Sequence, residues 1–153
     1  MKKILVIALS IFLFASSISL YAVSSHDAQY VGGTVTAIPK SQSGELIVED
    51  ANLNFQYKKS SFAIPYASIT DMEYGDKPST RIGTSIGVAL ICWPCGIATL
   101  FVKAKHHFIT LEFNDSNNTK QAAVFELGKA LPEGLLPTLE VKTGKKIVHQ
   151  DQK

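Results

Sequence analysis

Gly44-Glu45-Leu46-Ile47-Val48-Glu49, Asp50-Ala51-Asn52 and Leu53-Asn54-Phe55-Gln56-Tyr57 form the stretch on which the fold turns. Leu53, Phe55 and Tyr57 alternate with Asn54 and Gln56, the period of a strand with one buried and one wet face. Residues 45–49 read as the strand before it, and Asp50-Ala51-Asn52 has the composition of a turn. The same period continues downstream. Phe62, Ile64 and Tyr66 alternate, with Pro65 arguing for an edge position or a break. Residues 69–74 make a further short strand, ended by Gly75-Asp76-Lys77-Pro78. Ile109, Leu111 and Phe113 then point one way, residues 114–118 turn the chain, and Ala123, Phe125 and Leu127 return as the second arm of a hairpin. Upstream, residues 26–42 read as loosely structured, with Tyr30 to Val35 able to begin a strand.

After Gly128 the period becomes helical. Leu131, Leu135 and Leu139 recur at i, i+4 and i+8. Pro132 suits a first helical turn, Pro137 would kink the helix or start a second one, and Thr143-Gly144 reads as a C-terminal cap. Residues 145–153 form a polar tail expected to fray. The expected core is Leu46, Val48, Leu53, Phe55, Ile64, Ile69, Ile109, Leu111, Phe113, Phe125, Leu127, Leu135 and Leu139.

Successive strands closed by one amphipathic helix give a curled sheet or sandwich. The residues from Gly44-Glu45-Leu46 through Phe55, with Ile64-Pro65-Tyr66-Ala67-Ser68-Ile69 and Glu73-Tyr74, resemble bacterial pleckstrin-homology-like and GRAM-type domains. Ala123-Val124-Phe125-Glu126-Leu127-Gly128-Lys129 is similar to a segment of secreted bacterial proteins of this type. The resemblance covers residues 43–144. It implies a mainly β fold, a curled sheet or barrel of about six or seven antiparallel strands plugged by a C-terminal helix. It also implies a binding or scaffolding module working near membranes, not an enzyme. The departure from that pattern is an uncharged insertion at residues 82–102.

The chain opens Met1-Lys2-Lys3, followed by an apolar core over residues 4–15 and small or polar residues up to Tyr21-Ala22. That is the layout of a secretory signal peptide, residues 1–22, cleaved after Ala22 or, second, after Ser25. Residues 23–42 would then be an N-terminal extension. Removing the leader takes two lysines and leaves 13 basic against 13 acidic residues. A neutral mature chain has no electrostatic footprint for nucleic acid. The expected destination is the bacterial periplasm or cell envelope, where cysteines are free to pair.

The insertion, Ile82 to Val102, carries no charge over 21 residues. Three readings compete. In the first, Trp93-Pro94-Cys95-Gly96 turns a hairpin that dips into a leaflet, with arms too short to span. Ile86, Val88, Leu90, Ile91, Trp93, Ile97, Leu100, Phe101 and Val102 would enter the lipid, and Arg81, Lys103 and Lys105 would meet headgroups. The second is a single spanning helix. Its leucine, isoleucine, valine and phenylalanine residues bring roughly −3 to −5 kcal/mol, eroded by glycines and a proline. That reading strands the two groups of β residues on opposite sides of the membrane. The third buries the stretch in the domain or in an oligomer interface.

Candidate chemistry is sparse. Cys92-Trp93-Pro94-Cys95 is a Cys-x-x-Cys, but no βαβ pattern surrounds it and an apolar setting suppresses the thiolate. A structural disulfide between Cys92 and Cys95, or two idle thiols, is the plainer expectation. Metal binding would need His106 and His107 together, and adjacent strand residues face opposite ways. Asp71, Glu73 and Asp76 form an acidic cluster; Asp71 and Glu73 share a strand face, able to pair with lysine or arginine or to act as acids, and read best as a solvated face. Glu112 would face Lys120 or Gln121 across the hairpin. Lys58, Lys59 and Lys77 join Arg81, Lys103 and Lys105 in a candidate basic collar. No catalytic residue, cofactor or metal is expected. The expected function is a membrane-associated, non-catalytic binding or scaffolding module whose partner is membrane lipid or another envelope protein. The alternatives are a membrane-embedded thiol oxidoreductase using Cys92 and Cys95, or a soluble periplasmic oligomer.

Overall fold

The computed structural model describes residues 24–87, 106–128 and 134–150. The predicted leader and most of the apolar insertion, residues 88–102, lie outside them, as do Lys103 and Lys105. Eight strands form one open, mixed sheet in the order β4-β3-β2-β1-β7-β6-β5-β8. They are β1 (Ser24–Gly33), β2 (Gln42–Val48), β3 (Asn52–Tyr57), β4 (Ser60–Pro65), β5 (Ile69–Gly75), β6 (His107–Asn114), β7 (Lys120–Leu127) and β8 (Val148–His149). The helices among the described residues are α1 (Thr80–Ile86) and α2 (Leu135–Thr143), with a 3₁₀ turn at Tyr66–Ser68.

The mainly β expectation holds; a closed barrel does not. β4 and β8 are the two edges and are not bonded to each other. Covalent connection nevertheless forces the sheet to curl. β4 is the first strand in sheet order and β5 the seventh, yet only Tyr66–Ser68 separates them in sequence. The two halves therefore face one another. Phe62 on β4 meets Phe113 on β6 at 6.2 Å between ring centroids, and Phe55 on β3 meets Phe125 on β7 at 5.1 Å. All thirteen expected core residues are buried in this concave interior.

β1 is a strand of which the sequence pattern showed only the last part, from Tyr30. Residues 24–33, placed in the N-terminal extension, sit at the centre of the sheet. Residues 24–30 pair with β2, and residues 28–33 pair with β7 across a bulge between Tyr30 and Gly32. A bulge adds local twist, and here it lies where the two halves of the sheet join. Ala28 and Tyr30 point into the core while Asp27 and Gln29 face outward.

The C-terminal helix also differs from expectation. It begins at Leu135, so Pro137 falls in its first turn, where the missing N–H costs nothing. Leu135 and Leu139 enter the core. Lys142 lies on the same face one turn on, its ammonium 5.6 Å from the Tyr66 ring and 3.8 Å from the Asp50 carboxylate. The tail expected to fray instead sends Ile147 into the core and adds β8 parallel to β5.

Candidate functional site

β6 and the middle of β7 are buried on both faces, and so is β5 from Met72 to Tyr74. On the convex face, Val31, Phe108, Ala122 and Val124 form a second apolar cluster with Ile82, and Ile86 packs against it. A sheet apolar on both sides must be covered on both sides. α1 supplies cover here. Ser79 caps it, its hydroxyl accepting from the Ile82 amide at 3.0 Å, and Gly87 in the left-handed conformation ends it. The first residues of the expected lipid-facing stretch are thus helix residues docked on the sheet, Ile82 fully buried and Ile86 partly so.

A polar fastening runs beside this cluster. Glu73 is buried, at 7% exposure, which overturns the solvated surface expected for it. Its Oε2 accepts from Ser79 Oγ at 2.7 Å and Arg81 Nε at 3.0 Å, and its Oε1 accepts from Gln150 Nε2 at 2.7 Å. Asp71 takes both terminal nitrogens of Arg81, one at 3.1 Å, and accepts from the Met72 amide at 2.8 Å. Those Asp71 bonds, above all, push the Arg81 pKa up from its ordinary value. Arg81, expected to reach lipid headgroups, is therefore engaged by two carboxylates, with 48% of its side chain still exposed.

Glu112 is the second buried carboxylate. Thr70 Oγ1 donates to it at 2.9 Å, Ser85 Oγ donates to its other oxygen, and Lys120 Nζ lies 3.1 Å away. Burial pushes its pKa up, but the bonds from Ser85, Lys120 and Thr70 outweigh burial and hold it below its ordinary value. A carboxyl depressed in the folded state stabilises the fold above its unfolded pKa and loses that contribution as pH falls through the folded value. Stability should therefore drop as pH falls below about 4.3, the ordinary glutamate value. In Glu112→Gln that acid limb should be flatter, with a loss of about 1 kcal/mol at neutral pH. Urea unfolding at pH 7 and at pH 3 measures both.

The two histidines divide as strand alternation requires. His107 Nδ1 is 2.7 Å from the Tyr74 hydroxyl, at the rim of the core, and burial raises the Tyr74 pKa. His106 pairs through Nδ1 with Glu126. That carboxylate also lines an open groove of about 310 Å³ between β2, β1 and β7, together with Asp27, Gln29 and Ser43. Among the described residues, no group of three or more histidine, cysteine or acidic side chains is arranged to hold a metal ion. Cys92 and Cys95 lie outside the described residues. The basic collar divides: Lys58 and Lys59 occupy the β3–β4 turn, whereas Lys77 follows β5 at the opposite end of the strands.

What this arrangement does chemically is fasten a helix. Every carboxylate in it has donors in place, and none faces another across a cleft, as acid–base catalysis would need. The Pro78-Ser79-Thr80 cap signal was present in the sequence. Ser85 and Gln150 had no local signal, because their partners, Glu112 and Glu73, lie on strands distant in sequence. Among the described residues, no helix is long and apolar enough to cross a membrane. No protein-family model matches the chain, and no significantly similar protein is found among curated ones.

Proposed function

We propose that the chain is an exported, membrane-associated, non-catalytic binding or scaffolding module of the pleckstrin-homology-like type, whose apolar segment touches lipid. The observation that carries this reading is the pairing of strands across the segment. β5 and β1 precede it, β6 and β7 follow it, and β5 pairs with β6 while β1 pairs with β7. Both flanks, Gly87 and His106, are thereby tied to one sheet. A single crossing would tear that sheet apart, so the segment leaves and returns on the same side of any bilayer. The hairpin is favoured over the span on this ground. Seven antiparallel strands followed by a helix that puts Leu135 and Leu139 into the core support the family resemblance. Cleavage after Ala22 leaves β1 whole, whereas cleavage after Ser25 would remove its first two residues.

A second reading has the segment lie against the convex face of its own sheet. Val31, Phe108 and Val124 favour it, because that face is already apolar. Alkaline carbonate extraction of cell envelopes separates the two. A lipid-inserted chain stays in the pellet, and a chain that buries its own segment is released. Cys92→Ser with Cys95→Ser should leave the pelleted fraction and the cellular phenotype unchanged. Loss of the phenotype with retained membrane association would favour the thiol oxidoreductase instead.

A further inference from the structure

Among the described residues, the outer edge of β5 is occupied by residues 147–150 of the chain's own C-terminal segment, and they sit on it as a docked peptide does. Ile147 is buried in the core, and its amide donates to Glu140 Oε1 at 2.8 Å. Val148 and His149 pair in parallel with Glu73 and Tyr74 and remain exposed. The Gln150 amide donates to the Tyr74 carbonyl at 2.9 Å, and its side chain donates to Glu73. Gly75 provides the space. A Cβ there would collide with the Gln150 side chain, lying 2.7 Å from its Cγ.

Main-chain pairing along an open edge, with specificity from separated side chains in pockets, is the pattern of strand addition. The specific contacts here are an apolar residue and an amide three positions later. The occupant is also an imperfect fit: Gln150 Oε1 is buried with no hydrogen-bond partner. A two-residue strand, reached through Gly144 in the left-handed conformation and two exposed lysines, belongs to the part of a fold that opens most easily.

We propose that the β5 edge, with its notch over Gly75, is a docking edge for an extended segment of a partner protein bearing an apolar residue and a glutamine three positions later, held shut in cis by residues 147–150. This gives the binding-module reading a partner of defined chemistry, but it needs only the sheet and not the lipid contact. The probe is a fluorescent, end-blocked peptide of residues 145–150, titrated against the full chain. Gln150→Ala, which loosens the cis segment and leaves the edge intact, should bind the peptide saturably. It should bind at least tenfold more tightly than the wild type, whose tethered segment competes at high effective concentration. Adding Gly75→Ala to that variant, or replacing the glutamine in the peptide by alanine, should abolish the gain. Absence of saturable binding to Gln150→Ala, or equal binding when Gly75 is filled, overturns the proposal. If Gln150→Ala does not fold, hydrogen exchange on the wild type decides. Excess peptide should speed exchange of the chain's own Gln150 amide at least fivefold, and unchanged protection refutes the docking edge.

Discussion

Phe125→Ala should lower the free energy of unfolding by about 3–5 kcal/mol, the cost of emptying a large aromatic site in a packed core. Phe125 is fully buried on β7 and links the two halves of the curled sheet. Its ring lies 5.1 Å from Phe55 on β3 and 5.7 Å, edge-on, from Tyr30 on β1. Removing it leaves three strands facing a void that none can fill without breaking ladder hydrogen bonds. Urea unfolding should give a lower midpoint with an unchanged slope, since the surface exposed on unfolding is nearly the same. Phe62→Ala is the comparison. Phe62 packs on Phe113 from the edge strand and is only partly buried, so its loss should cost about half as much. Equal losses at the two positions would mean that the halves are not joined through Phe125.

Gly33→Ala should be nearly as damaging, although it adds one methyl group. Gly33 has φ +135°, a conformation that L side chains rarely adopt. Its new Cβ would lie 3.0 Å from the Ala122 carbonyl carbon and closer still to the oxygen. That oxygen accepts from the Thr34 amide at 2.9 Å. The variant must strain the backbone, at about 1–3 kcal/mol, and push β1 away from β7, at about 1 kcal/mol for the lost bond. A total of about 3 kcal/mol is expected, with the Thr34 amide exchanging faster than in the parent. A loss below about 0.5 kcal/mol, the scale of an ordinary surface substitution, would show that β1 and β7 do not meet closely at this point.

Both predictions rest on residues of unequal legibility. Phe125 could be placed in the core from sequence, because Ala123, Phe125 and Leu127 alternate cleanly and β7 carries its inward side in full. β2 to β6 were readable for the same reason. Most of β1 was not. Ser25-His26-Asp27-Ala28-Gln29-Tyr30 offers only Ala28 and Tyr30 to the interior, and its bulge breaks the period just where valine and glycine follow. Gly33 fell in residues 30–35, which read as able to begin a strand, and is instead the close-approach point at the end of a central one. β8 is two residues long, too short for any period to register.

The convex face shows a further limit. Glu73 and Glu112 sit at strand positions where an acidic residue normally reads as solvated. They are buried because α1 folds back over them, bringing Ser79, Arg81 and Ser85. Nothing local announces that return. Residues 82–86, the start of the uncharged insertion, of which Ile86 was expected to enter lipid, contribute Ile82 to the convex cluster, with Ile86 packed against it.

Vesicle flotation of the detergent-free chain tests the lipid contact most directly. Purified without detergent and mixed with liposomes of mixed anionic and zwitterionic lipid, the protein should rise with the vesicles through a density gradient and resist high salt. A monomer that stays at the bottom with and without vesicles, its Trp93 emission unchanged by lipid, would contradict the account.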